Sequence, residues 1–197
     1  MHFKYILYIL AFNCFAADDI GFTTFRDNCS ACHLDSGHGN PSLKVPSIAG
    51  LPRWYVSDQL RKFRYGKRGD HKNDLTGKLM KASTINLNDR TIAFLGRYVQ
   101  NLKPLEKRSS AKENSAEGKK HYEKNCKSCH GAKGEGDKSA RVPPLDVQPD
   151  WYLNAQMEKF EKGQRKHTEN PVKIQAEYIK EITSYLGSLK RKEKQGQ

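Results

Sequence analysis

Two short cysteine motifs contain the residues best suited to carry chemistry in this 197-residue sequence. The motifs read Cys29-Ser30-Ala31-Cys32-His33 and Cys126-Lys127-Ser128-Cys129-His130. Cys-x-x-Cys-His is the attachment signature of haem c, because two thiols at this spacing bond to the two vinyl groups of one porphyrin and the next histidine binds its iron. We therefore predict two covalent haem c groups, one on each cysteine pair. Their proximal iron ligands are predicted to be His33 and His130.

Paired cysteines have two other common uses, which stay open at this point. Four cysteines in two pairs bind zinc in some proteins, although such pairs are usually closer together. Two pairs also form disulfides in an oxidising compartment. Neither use explains why a histidine directly follows both pairs, and the βαβ pattern that a thioredoxin-like motif needs is missing. The haem interpretation is favoured because it accounts for every residue of both motifs.

The second ligand of each iron must come from elsewhere in the chain. In the first half the candidate is Met80, in a loop before the last predicted helix of that half. The corresponding loop of the second half is ten residues shorter, and alignment backwards from the last helix places His167 opposite Met80. We predict His/Met ligation at the first haem and His/His ligation at the second. Because a methionine ligand raises the reduction potential, the first haem is predicted to be the more oxidising site.

Two alternatives to ligation by His167 stay open. If His167 is a solvated loop residue, the second haem is five-coordinate or takes another ligand, for which Met157 is the weaker candidate. An open haem binds small molecules, so an enzyme that reduces peroxide or oxidises a small sulfur compound is the alternative to an electron carrier.

The elements that position these residues occur twice. A shift of 97 residues aligns the chain with itself without a gap from residue 21 to residue 69. Among the matched pairs are Gly39 with Gly136, Pro46 with Pro143, Tyr55 with Tyr152, Gln59 with Gln156, Phe63 with Phe160, and Arg68 with Arg165. One domain has therefore been duplicated.

Each copy shows helical periodicity. Tyr55, Gln59 and Phe63 predict a helix that Gly66 ends. The last helix of the first copy has Asn88 as its N-cap. Its apolar stripe, and the matching stripe of the second copy, consist of Ile92, Leu95, Tyr98, Val99 and Leu102, and of Ile179, Ile182, Tyr185, Leu186 and Leu189.

The chain divides into five segments. Residues 1–16, a short basic start and an apolar run, predict a signal peptide and export to the periplasm. Two domains follow at 17–103 and 115–190, joined by a polar linker at 104–114, and residues 191–197 form a basic tail. None of the later apolar stretches is long enough to span a membrane. A lipid anchor on Cys14 or a peripheral association with the membrane stays open.

The formal net charge of +13 indicates which kind of partner the chain binds. In an exported chain it argues for acidic proteins rather than nucleic acid. We predict redox partners that dock by an acidic face, while a lysine-rich surface that only aids solubility is the alternative. The oligomeric state does not follow from the sequence.

With these residues in view, the chain resembles the diheme class I cytochromes c of the cytochrome c4 type. The resemblance rests on both haem motifs, on Pro46 and Pro143, on Met80, and on the run Tyr-x-x-x-Gln-Leu-x-x-Phe-x-x-Gly-x-Arg that starts at Tyr55. It implies an all-α fold of two tandem class I cytochrome c domains, each a few helices wrapped round one covalently bound haem.

The resemblance also implies a function. Members of this family are electron-transfer proteins, not enzymes, and pass single electrons in the periplasm, commonly towards a terminal oxidase or reductase. By resemblance, Cys29, Cys32, His33 and Met80 serve the first haem, and Cys126, Cys129 and His130 the second. His167 departs from the family pattern of two methionine ligands. A dedicated redox subunit of a larger complex is a further alternative.

Overall fold

The computed structural model describes residues 20–105, 115–167 and 175–189. Within these ranges the regular structure is helical, apart from two isolated β-bridges that join Asn40 to Val45 and Asp137 to Val142. The all-α prediction is therefore confirmed. The predicted signal peptide with Cys14, most of the predicted linker and the basic tail lie outside the described residues.

The helices of the first copy surround its haem motif. They are α1 (residues 20–28), α2 (Ser30–His33), α3 (Arg53–Arg64), α4 (Leu75–Ala82) and α5 (Asp89–Asn101), with a short 3-10 turn at Pro41–Leu43. The second copy repeats the same order except that it has no described counterpart of α4. Its helices are α6 (Ala116–Asn125), α7 (Lys127–His130), α8 (Asp150–Glu161) and α9 (Ile179–Ser188), with a 3-10 turn at Ala176–Tyr178.

The core of the first copy forms where α3 packs against α5. Asn88 caps α5 by accepting a hydrogen bond from the backbone N–H of Thr91 at 2.8 Å, as predicted. The predicted stripe is buried, with Ile92, Leu95 and Val99 at most 2% exposed. Burying three aliphatic side chains of this size stabilises the helix by about 1.5–3 kcal/mol each.

The core of the second copy forms where α6 and α8 pack against α9. Its buried cluster consists of Tyr122, Leu153, Ile182, Tyr185 and Leu186, and Met157 packs at its edge. The predicted stripe of the last helix therefore faces this core. Met157 has the surroundings of a core residue.

The segment that carries Met80 differs from its prediction as a loop, because residues Leu75–Ala82 form helix α4. Asp74 explains the helix. Its side-chain Oδ1 accepts a hydrogen bond from the backbone N–H of Gly77 at 2.9 Å, and its carbonyl accepts one from Lys78 at 2.9 Å. These are the contacts of an N-cap residue, and the sequence favours a loop there because Gly77, a poor helix former, lies in the first turn.

Packing divides the chain into two compact units. Of the described residues, the first unit contains those up to Lys67 together with Met80–Pro104, and the second contains Arg68–Leu79 together with those from Leu105 onwards. The segment Arg68–Leu79 thus belongs by its packing to the second unit. Among the described residues, none of the helices combines the length and the apolar character that crossing a membrane requires.

Candidate haem sites

Each cysteine motif forms a single helical turn after the first helix of its copy. The backbone N–H groups of Cys32 and His33 both donate to the carbonyl of Cys29, at 3.2 and 2.9 Å, and Cys129 and His130 repeat the pattern at 3.2 and 2.9 Å. All four thiols are free of disulfide bonds. One turn therefore presents two thiols and an imidazole together, as attachment to one porphyrin requires.

The two proximal histidines are held in the same way. The Nδ1 atom of His33 lies 3.0 Å from the carbonyl oxygen of Pro46, and Nδ1 of His130 lies 3.1 Å from that of Pro143. A carbonyl only accepts hydrogen bonds, so Nδ1 carries the proton and Nε2 keeps its lone pair for a metal. Burial lowers the pKa of both histidines, which favours the neutral ring that binds iron.

The loop that supplies the proline carbonyl depends on a glycine. Gly39 has φ of +75°, and a Cβ atom there would lie 2.4 Å from the carbonyl carbon and oxygen of Pro46. Gly136 repeats this arrangement, with a Cβ position 2.7 Å from the carbonyl carbon of Pro143. Glycine is thus required for the loop to approach the carbonyl that orients each proximal histidine.

The second unit brings His167 close to the proximal histidine. The ring centroids of His130 and His167 are 5.9 Å apart and the rings are inclined by 51°. Phe160 lies edge-on to His167, with ring centroids 4.9 Å apart. Burial lowers the pKa of His167, with smaller contributions from His130 and Arg165. His167 is therefore a partly buried, neutral imidazole in the pocket of the second motif.

The spacing of these rings can be compared with what one iron atom requires. A five-membered ring with bonds of about 1.33 Å has a radius of about 1.1 Å. Subtracting one radius at each end of the 5.9 Å separation leaves about 3.7 Å for two metal–nitrogen bonds, and an imidazole–metal bond measures about 2.0 Å. In addition, Nδ1 of His167 is buried without a hydrogen-bond partner, a state that costs about 1–3 kcal/mol unless another group satisfies the atom. Both observations fit a haem iron between the rings.

The distal side of the first motif is less closely defined. Met80 is half-buried in α4 and is grouped with His33 in the first unit. A thioether in this unit fits the predicted role. The described residues also include no cluster of three or more metal-binding side chains of the His, Cys, Asp and Glu types, which a zinc site would need.

Three structural features of these sites were missed from the sequence. Phe160 was noted only as the repeat counterpart of Phe63, whereas its ring lies edge-on to His167. The hydroxyl of Tyr122 donates to the carbonyl of Gly131 at 2.7 Å, directly after the proximal histidine. Lys159 reaches Asp74, 85 positions away in the sequence. Only the second had a visible signal, since Tyr122 replaces the Phe25 of the first copy.

Comparison with known proteins supports the same assignment. The family model of cytochrome c matches residues 19–103 and 115–190. A thiosulfate dehydrogenase electron acceptor of Thiomonas intermedia is 33% identical over 150 residues, which cover 70% of this chain and 64% of that relative. The chain thus spans less than two thirds of the length of this relative.

Two solved structures are similar as well. Cytochrome c4 of Acidithiobacillus ferrooxidans has a TM-score of 0.67 and 27% identity, with 83% of this chain and 99% of that chain covered. A thiosulfate dehydrogenase of Marichromatium purpuratum has a TM-score of 0.69 and 25% identity, with 87% of this chain and 40% of that chain covered. On the family match, the duplicated haem motif and these likenesses, the chain belongs to the cytochrome c family as a diheme class I cytochrome of the cytochrome c4 type, with two covalently bound haem c groups.

Proposed function

We propose that this diheme electron carrier works in the periplasm with two haems of unlike axial ligation, His33 with Met80 and His130 with His167. The observation that carries the proposal is the 5.9 Å apposition of the His130 and His167 rings, together with the unpartnered Nδ1 of His167. The proposed ligation of the first haem is supported by Met80, a half-buried thioether that belongs to the same compact unit as His33.

The residues of each site have distinct tasks. The haem supplies reversible exchange of one electron when it is bound. Pro46 and Pro143 fix the tautomer and the orientation of the proximal histidines. His167 would hold the distal side of the second haem, so that little would rearrange on a change of charge. With a thioether from Met80 at the first site and an imidazole at the second, the first haem would have the higher reduction potential.

An enzyme with an open second haem receives less support. Such an enzyme needs a vacant distal position for peroxide or for a sulfur compound. The ring of His167, with its centroid 5.9 Å from that of His130, supports a filled position instead. Electron transfer without substrate binding is therefore the function that the geometry favours.

We further propose a dehydrogenase of small sulfur compounds as the electron donor and a terminal oxidase or reductase as the acceptor. The donor class is supported by the thiosulfate dehydrogenase electron acceptor that is 33% identical to this chain, and by the likeness to part of a thiosulfate dehydrogenase. The formal net charge of +13 supports docking onto acidic partners.

The basic residues of α3 contribute less to such docking than their number suggests. Arg61 and Arg64 both pair with Asp89, at 2.9 and 3.0 Å, and Lys62 pairs with Asp58 at 2.9 Å. These three cations thus share two carboxylates, so that together they add only about one net positive charge. Most of the charge that attracts a partner is therefore expected to come from other basic residues of the surface.

Spectroscopy of the purified holoprotein tests the ligation. We expect ferric iron that is entirely low-spin, with a methionine–iron charge-transfer band whose intensity corresponds to half of the haem. A band for all of the haem, or a high-spin component in the wild type, would contradict the proposal. Reduction of the protein by thiosulfate together with a purified thiosulfate dehydrogenase tests the donor. The rate should fall as salt is added, because salt screens the attraction between the partners.

A further inference from the structure

A buried ion pair lies at the beginning of the helix that carries Met80. Asp74 is 2% exposed, and its Oδ1 accepts a hydrogen bond from Nζ of Lys159 on α8 at 2.5 Å. Lys159 also donates to Oγ1 of Thr76 at 2.8 Å, and its side chain is 17% exposed. One lysine thus holds both the cap and the first turn of α4. Removal of either charge leaves the other buried without its partner, which is strongly unfavourable.

The pair is specific to one copy of the repeat. The counterpart of Lys159 in the first copy is Lys62, which pairs with Asp58 one helical turn earlier on its own helix. The position that matches Asp58 in the second copy is Ala155, which offers Lys159 no carboxylate at this spacing. The exchange of aspartate for alanine therefore leaves Lys159 available for Asp74.

A second contact anchors the same segment. Nη2 of Arg68 donates to the hydroxyl of Tyr152 at 2.9 Å and to Oε1 of Gln156 at 3.0 Å, both on α8. Arg68 and Asp74 together attach the segment Arg68–Leu79 to the second unit, in agreement with the packing that groups this segment with α8.

We infer that Lys159 and Asp74 are positioning residues for the distal ligand of the first haem. Met80 follows Thr76 by four residues, which is about one helical turn or about 6 Å along the axis of α4. The turn that Lys159 holds is therefore the turn that precedes the thioether. Fixing it keeps Met80 in place and slows its exchange with other ligands. The inference rests on the proposed ligation by His33 and Met80.

The test uses the holoprotein with the substitution Lys159→Met, which keeps the apolar stem and removes the charge. Lys62→Met is the matched control, because it removes the corresponding lysine from an exposed pair. Imidazole is added to the ferric protein, and displacement of Met80 is followed by loss of the methionine–iron band. We expect displacement to become about tenfold faster in Lys159→Met, which corresponds to about 1.4 kcal/mol. In Lys62→Met the rate should stay within about twofold of the wild type.

The outcomes separate the inference from the ligation on which it rests. If the wild type lacks the methionine–iron band, the proposed ligation fails and the inference fails with it. If the wild type has the band but Lys159→Met exchanges Met80 at the wild-type rate, only the inference is overturned. A merely structural role of Lys159 in α8 would instead change the spectrum of the second haem and leave exchange at the first haem unaltered.

A second variant decides the question if Lys159→Met does not fold. Asp74→Asn preserves the shape of the side chain and its ability to cap α4, since asparagine is as good an N-cap as aspartate. It removes the charge that Lys159 faces. We expect faster displacement of Met80 with a smaller factor than in Lys159→Met, and an unchanged rate would overturn the inference.

Discussion

Replacement of His167 by alanine should open one distal iron position in each chain. In the wild type, about 3.7 Å separates the ring edges of His130 and His167, which is close to the length of about 4 Å that two metal–nitrogen bonds would need. The variant His167→Ala removes the imidazole and offers no nitrogen at that distance. Since the first site keeps its own ligands, the variant should have one five-coordinate iron out of two.

The expected magnitude is a stoichiometry. The reduced wild type should bind no carbon monoxide, whereas reduced His167→Ala should bind one molecule per chain, and half of its ferric iron should be high-spin. Added imidazole should restore the low-spin spectrum, because a free ring can occupy the space that the side chain has left. Titration with carbon monoxide, followed by absorption, measures the ratio directly.

His121→Ala is the matched control for this prediction. His121 is also a partly buried histidine of the second unit, but its ring stacks on Tyr178 and its Nε2 lies 2.9 Å from a carboxylate oxygen of Glu117. Its removal should leave carbon monoxide binding at zero. The reasoning is refuted if His167→Ala also binds none, or if the wild type already binds one molecule per chain.

Five further substitutions test the surroundings of the motifs, each by its effect on the free energy of urea unfolding of the holoprotein. Leu34 adopts φ 62° and ψ 160°, a region otherwise left to glycine, whereas its counterpart Gly131 has φ 83° and ψ 170°. Leu34→Gly should therefore raise the free energy of unfolding by about 1 kcal/mol, because the relief of backbone strain exceeds the entropy that glycine adds to the unfolded chain. Gly131→Leu should lower the free energy of unfolding. Tyr122→Phe should lower the free energy of unfolding by about 1 kcal/mol, because the hydrogen bond to the carbonyl of Gly131 is lost. An unchanged free energy of unfolding would show that this bond does not stabilise the fold. Gly39→Ala should lower the free energy of unfolding by about 2 kcal/mol or more, because its Cβ atom would clash with the backbone at Pro46. Gly163→Ala has open space around its Cβ position, so its positive φ alone should lower the free energy of unfolding by about 1 kcal/mol.

The sequence was sufficient where a local pattern determines the structure. The stripe of α5 and the cap at Asn88 need only residues within one helix, and the structure confirms both. Because the chain is duplicated, the helices of the second copy could be predicted from those of the first. Helix α4 was missed although its cap, Asp74, contacts Gly77 at the same spacing as the contact of Asn88 with Thr91. Glycine is a poor helix former, so Gly77 favours a loop in the sequence, and the ion pair of Asp74 with Lys159 is long-range.

The proximal ligands of the candidate haem sites could be predicted from the sequence more securely than the distal ligands. The proximal histidines follow from the cysteine spacing. His167 came from aligning the last helices, and no motif marks it, so its position beside His130 required the structure. The interaction of Lys159 with Asp74 joins residues 85 positions apart, a separation at which sequence spacing carries no information on contact.

The two copies share the arrangement of the proximal histidine but not the segment before the last helix that would supply the distal ligand, and the way each ligand is held explains this difference. A proximal histidine is fixed by a carbonyl that a positive-φ glycine allows to come near, and both copies keep the resulting distance, 3.0 Å in one and 3.1 Å in the other. A change of any residue in this arrangement displaces the carbonyl and with it the ring. A distal ligand needs only a soft or basic atom about 2 Å from the metal, and side chains on different elements can supply it. Duplication therefore leaves the distal side free to change, and the proposed exchange of a thioether for an imidazole would alter the potential of one haem while the attachment of both remains the same.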